Sequence, residues 1–145
     1  MQQLAKEGYS GALFDIGWCY RFGEYFEFDY EKGICLWIEA SKRGCRAAGA
    51  RLKTDYEIKM YKQLGDDIKL FFLHEIMMIC VREKGLQIKN NVIDISSLDD
   101  IEIKELKKIN YERKKILKSV SKNYNMRKLT SLFWDYDEGP YKIDF

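Results

Sequence analysis

The side chains best suited to chemistry are few in this sequence. His74 is the only histidine among 145 residues and stands in FFLHEIMM, an apolar run of helical character. Hydrolases and transferases bring together a nucleophile, a base and a group that orients the base. Glu75 follows His74 directly, and neighbouring residues project from different faces of a helix, so the pair is not the His-Glu-x-x-His arrangement of a zinc protease. The expectation is a structural histidine. Two carboxylate pairs, Asp66 with Asp67 and Asp99 with Asp100, have the composition of acid–base or metal-binding groups. Each opens a predicted helix, where capping and attraction to the helix dipole account for it more simply. The four cysteines, Cys19, Cys35, Cys45 and Cys80, include no Cys-x-x-Cys pair, which argues against a zinc ribbon or a thioredoxin-like site and for buried free thiols. Glycines come singly, with no phosphate-cradling loop. The sequence therefore predicts no catalytic residue, no metal and no cofactor, and a protein that works by binding.

Two stretches offer binding surfaces. In residues 104–128, Lys104, Lys107, Lys108, Arg113, Lys114, Lys115, Lys118, Lys122, Arg127 and Lys128 stand against Glu105 and Glu112, a local charge of +8 in a chain of net +2. The remainder must carry −6. Three readings are open: a solvated helix face, a surface for an acidic protein through residues such as Arg113, Lys114 and Lys118, or contacts to nucleic-acid phosphates that weaken steeply with salt. A nucleic-acid reader would more comfortably be basic throughout, so nucleic acid stands as the alternative to a protein partner. The second stretch holds Tyr25, Phe26 and Phe28 between two predicted helices. Aromatic side chains at a surface are the usual anchors of a protein interface, and packing within the fold is the equal alternative. Trp18 and Tyr30 are expected in the core. The C-terminal segment 130–145, which ends in LFWDYDEGPYKIDF from Leu132 onward, is too aromatic for a solvated tail; Trp134 and Tyr136 are candidate partner contacts there.

The elements that must position these groups are helical. With 46% hydrophobic and 33% charged residues the chain has the balance of a globular protein, and its length suits one domain with a real core. Pro140 is the only proline, which leaves nearly the whole chain free to be helical. The window IKLFFLHEIMMICV contains Lys69, His74 and Glu75 and falls short of the roughly 20 residues of a membrane span. MQQLAKEGYS has no apolar h-region of a secretory signal. These features predict a soluble protein of the reducing cytoplasm without a membrane partner.

A weak internal repeat organises the first half. Shifted by 36 residues, LAKEGYSGALFDIGWCY lies over ASKRGCRAAGARLKTDY: Lys6 meets Lys42, Gly8 meets Gly44, Ala12 meets Ala48, Tyr20 meets Tyr56, and Ile16 faces Leu52. Ala12, Ile16 and Tyr20, with Leu13, predict an apolar stripe on a helix over GALFDIGWCYRF. Gly23 should close that helix, Asp29 should cap the next, Ile34, Trp37 and Ala40 should line it, and Gly44 should end it. Small residues at Ala12, Gly17, Ala40 and Ala48 would let paired helices approach closely, and antiparallel pairs of this kind stack into a solenoid.

These residues resemble the Sel-like (Sel-one) repeats, relatives of the tetratricopeptide solenoids. The matching positions are Ala5, Gly8, Ala12, Ile16 with Gly17, Tyr20, Gly23, Asp29 with Tyr30 and Lys32, Trp37, and Ala40 with Gly44, covering about 50 residues. The resemblance implies an all-α fold, a short α-solenoid with one repeat over 4–44 and a degenerate second over 45–84. It also implies a scaffold or adaptor with no chemistry of its own. Gly33 departs from the family's alanine, at about 1 kcal/mol of helix propensity. The second unit loses the pattern after Tyr56, with Lys53 in place of glycine and YKQLGDD in place of the hairpin. A second helix is still legible from Asp66 to about Arg82. Residues 86–95 read as a loop or one short strand. Ser97 should cap a long basic helix over 97–123, with Leu106, Ile109, Ile116, Leu117 and Val120 as its apolar stripe. The expected function is a small protein-binding or inhibitory module, in its most concrete form an immunity protein that neutralises a bacterial toxin.

Overall fold

A computed structural model describes the backbone of residues 2–120 and 142–143 and the side chains of residues 9–120. The fold is all-α. The chain divides into two compact units, Met1–Ile76 and Met77–Phe145.

The first unit holds α1 (Gln2–Phe22), α2 (Tyr30–Lys42), α3 (Arg46–Glu57), a 3-10 turn (Met60–Gln63) and the first half of α4 (Asp66–Lys84). The glycine stops act as the sequence predicts. Gly23, at φ +70, ends α1 with the Glu24 amide donating to the Cys19 carbonyl, and Gly44, at φ +101, ends α2 with the Cys45 amide donating to the Ala40 carbonyl. Both are the six-to-one bonds of a Schellman C-cap, which only a left-handed residue permits. Asp29 caps α2, its Oδ1 accepting the Lys32 amide at 3.1 Å.

The α1–α2 pairing is antiparallel and close. Trp37 Nε1 donates to the Phe14 carbonyl at 3.1 Å, and a Cβ placed on Gly17 would lie 2.6 Å from Trp37 Cδ1. Nearer the turn, a Cβ on Gly33 would lie 2.9 Å from both the Arg21 amide nitrogen and the Gly17 carbonyl oxygen. Gly33 is thus a contact point of two backbones, and the departure from alanine has a steric reason. Ile34, Trp37 and Ala40 are buried, as are Ala48 and Leu52 of α3.

The stripe expected on α1 is displaced. Ala12 and Ile16 are exposed and Tyr20 is half-buried, whereas Ser10 and Gly17 are buried, with Leu13, Phe14, Trp18 and Arg21 half-buried beside them. The counterparts of Ala12 and Ile16 under the 36-residue shift, Ala48 and Leu52, are both fully covered. The same positions therefore face solvent in one helix and the core in the other. Helix α1 also starts well before Gly11; Gly8 lies inside it, in the stretch whose side chains are not described.

Contacts between the two helix pairs share one separation. Arg21 meets Asp55, Glu31 Oε2 accepts the Gly65 amide at 3.3 Å, and Ser41 Oγ donates to Glu75 Oε2 at 2.7 Å, each across 34 residues. Tyr61 of the 3-10 turn stacks on Tyr56 of α3 and on Phe72 of α4, at centroid distances of 5.4 and 5.2 Å. Residues Leu70 to Met77 are buried all round the helix, as expected of a helix without a polar face.

In the second unit, residues 86–95 form a hairpin rather than a loop or single strand. β1 (Ile88–Lys89) pairs antiparallel with β2 (Val92–Ile93), which pairs parallel with β3 (Lys142–Ile143). Asn90 and Asn91 take φ +53 and +63, the double left-handed turn that asparagine tolerates best among residues with a side chain. Helix α5 (Asp100–Val120) is capped by Asp99, not Ser97. Asp99 Oδ1 accepts the Glu102 amide at 2.8 Å while Glu102 Oε1 accepts the Asp99 amide at 3.2 Å, a reciprocal box that Ser97 stands too far upstream to make. Leu106, Ile109 and Val120 are buried as expected; Ile116 and Leu117 are half-buried.

Candidate functional site

From Phe22 to Glu31 every residue except Gly23 is aromatic or acidic. This segment leaves the C-terminus of α1 and enters α2, and both its ends are tied to α1: the Glu24 amide to the Cys19 carbonyl at 2.8 Å, the Asp29 amide to the Tyr20 carbonyl at 2.9 Å. Between these anchors the Phe26 amide donates to the Glu24 carbonyl at 2.7 Å, closing a three-residue turn with Tyr25 at its centre. Tyr25 takes φ +62, a conformation that costs a residue with a Cβ about 1–2 kcal/mol. Its side chain is 96% exposed, so no packing within the described residues offsets that cost.

Neighbouring rings extend the surface. Phe28 is 55% exposed, Phe26 45% and Phe22 42%. Phe26 stacks on Tyr20 at 4.7 Å, and Lys32 Nζ lies 4.7 Å from the other aromatic partner's centroid, that of Tyr20. Tyr25, Phe26 and Phe28, singled out from sequence, are thus brought together on one exposed loop. Phe22 belongs with them and was hidden from sequence reasoning by its place at the end of a helix.

A buried polar cluster holds this loop's base. Asp55 accepts from Arg21 Nε and Nη2, both at 3.3 Å, and from the Tyr30 hydroxyl at 3.2 Å. The Arg21 guanidinium also lies over the rings of Phe22 and Tyr30, at 4.8 and 4.9 Å. Burial, then the charge of Asp55 and its hydrogen bond, push the Tyr30 hydroxyl well above the ordinary tyrosine range, against the opposing charge of Arg21. The cluster ties α1, α2 and α3 at the end from which the loop projects. None of its members was singled out for this role from the sequence; the only signal was an Arg and an Asp near the C-terminal ends of the two stretches that the 36-residue shift superposes.

The other candidates separate. Arg113 is buried, 2% exposed, with Nη2 donating to Asn110 Oδ1 at 2.8 Å, so it is not a partner contact on the basic face. It stands seven residues from both Leu106 and Val120, a spacing that returns it to the apolar stripe. Lys114 and Lys118 are exposed on α5. Trp134 and Tyr136 lie outside the described residues. His74, Glu75 and Ser41 are all buried, with Ser41 donating to Glu75. Among the described residues no group of three or more His, Cys, Asp or Glu is arranged to hold a metal ion, and no helix is long and apolar enough to cross a membrane.

The cysteines are free, but the expectation of buried thiols is corrected. Cys35 is exposed and Cys19, Cys45 and Cys80 are half-buried. Desolvation of the thiol, with the charges of Glu31, Asp67 and Asp29 behind it, pushes the Cys35 pKa up to about 11.

No known protein family, curated protein or solved structure compared with the chain matches it.

Proposed function

We propose that this chain is a non-catalytic protein-binding module, a short α-solenoid of Sel-like helix pairs that presents the loop from Phe22 to Phe28 to a partner protein. The observation that carries this reading is Tyr25. A large aromatic side chain is held almost fully in solvent by a backbone conformation that costs free energy, and strained conformations of this kind cluster at functional sites. Three further exposed rings make the surface continuous in sequence, and aromatic side chains with few rotatable bonds are efficient interface anchors.

The solenoid half of the reading is supported by the common separation of 34 residues in three contacts between helix pairs. A repeated stack brings equivalent positions of neighbouring units together at one fixed offset. The reducing cytoplasm is the proposed location, in keeping with free cysteines. The partner class is a toxin or enzyme that the chain inhibits by stoichiometric binding. Exposed Lys114 and Lys118 on α5 favour a second reading, a nucleic-acid-binding accessory role.

Affinity capture from the source cell at physiological and at high salt, with the unaltered chain and a Tyr25→Gly/Phe28→Ser variant side by side, tests the reading. One stoichiometric protein retained by the former and lost from the latter supports it. Retention of nucleic acid alone, released as salt rises and abolished by charge reversal at Lys114 and Lys118, would favour the second.

A further inference from the structure

Resting on the reading of the Phe22–Phe28 loop as the partner surface, we infer that the segment it receives is cationic, an arginine- or lysine-bearing stretch of a separate protein.

Charge is the first ground. Glu24, Glu27, Asp29 and Glu31 lie between Phe22 and Lys32 with no basic residue among them. Asp29 and Glu31 have structural duties, capping α2 and accepting the Gly65 amide. Glu24 and Glu27 are exposed, flank Tyr25 and Phe26, and enter none of the ion pairs among the described residues. Two exposed carboxylates interleaved with ring faces repel an anionic partner and concentrate a cationic one. That disfavours both phosphates and an acidic peptide at this loop.

The second ground is what the rings of this unit already do. Arg21 lies over Phe22 and Tyr30, Lys32 over Tyr20, Arg43 over Tyr9 at 4.8 Å, and Arg51 over Trp18 at 4.4 Å and Phe22 at 5.3 Å. Wherever the chain's own cations reach these aromatic faces, they stack on them. Tyr25, Phe26 and Phe28 are the exposed rings beside the unpaired carboxylates, and no cation of the described residues lies over them. A guanidinium or ammonium group supplied by a partner would gain both the ring face and the carboxylate, which act in the same direction.

The test selects short random peptides displayed on phage against the immobilised full chain, with counter-selection on the Tyr25→Gly/Phe28→Ser variant. The strongest peptide is then synthesised and titrated against the unaltered chain and a Glu24→Gln/Glu27→Gln variant. Both glutamates are exposed and outside the ion pairs, and an unchanged Tm verifies that the variant is folded. The expected result is a consensus with arginine or lysine beside an apolar residue, bound about tenfold more weakly by the double glutamine variant. A neutral or acidic consensus, no enrichment, or undiminished affinity for that variant overturns the inference. So does sedimentation showing that the chain alone self-associates through this loop, or a duplex DNA probe bound through it. Loss of the natural partner in Tyr25→Gly/Phe28→Ser but not in Glu24→Gln/Glu27→Gln would sink the cationic segment and leave the protein-binding reading standing. Retention in both would sink that reading itself.

Discussion

Asp55 receives two hydrogen bonds from Arg21, both at 3.3 Å, across 34 residues of chain. The side chains are 5% and 13% exposed, so this is a largely desolvated pair, and the carboxylate accepts a third hydrogen bond from the Tyr30 hydroxyl. Removing one partner leaves the other poorly compensated. Asp55→Ala is expected to lower stability by about 3 kcal/mol, and Tyr30→Phe, which deletes a single hydrogen bond, by about 1 kcal/mol. Urea denaturation followed by circular dichroism measures both. Equal, small losses would mean that the cluster does not hold the first unit together.

Gly33 gives a prediction whose sign separates two effects. Helix propensity alone favours Gly33→Ala by about 1 kcal/mol. The added Cβ would stand 2.9 Å from backbone atoms of α1, and backbone cannot swing aside as a long side chain can. Overpacking of this kind costs about 1–3 kcal/mol, so the net change is expected to be destabilising. A raised Tm would show that α1 and α2 are not in such close contact.

The start of α5 separates two candidate caps. Asp99→Ala is expected to cost about 1 kcal/mol and Ser97→Ala nearly nothing. Thermal melts of the two variants decide it, and the reverse order would return the cap to Ser97.

Cys35 should be slow to react although it is exposed. With its pKa raised from 9.0 to about 11, the folded state favours the neutral thiol. The associated stability is fully present below about pH 9 and is lost as pH rises through about 11. Alkylation by iodoacetamide, followed by mass spectrometry, should give a rate at Cys35 that is still climbing between pH 9 and 11. A plateau reached near pH 9 would contradict the shift.

What the sequence disclosed was mostly local. The Schellman glycines at 23 and 44, the Asp29 cap and the apolar triplet Ile34, Trp37 and Ala40 each announce themselves within a few residues, because their physics is that of one turn of helix. What stayed hidden depends on a neighbour that local spacing does not name. Ala12 and Ile16 have the pattern of a buried stripe, and the pattern alone does not say whether a helix pair lies over them. Arg113 has the charge of its basic neighbours, but its seven-residue spacing from Leu106 and Val120 puts it on the buried face. Two consecutive asparagines at 90 and 91 were a legible turn signal for the hairpin. Of the candidate site, Tyr25, Phe26 and Phe28 were legible, but their exposure was not, since aromatic residues between helices pack inward as readily as outward. The left-handed backbone at Tyr25, like that at Lys59, is revealed by neither composition nor period.

Tyr25→Gly tests most directly whether Tyr25 is kept for binding at a cost to stability. Glycine adopts φ +62 freely, and the side chain removed is almost wholly exposed. Thermal unfolding and partner capture on the same variant should show a stability gain of about 1 kcal/mol together with loss of the retained protein. A variant that is stabilised yet holds its partner as firmly as the unaltered chain would contradict the account.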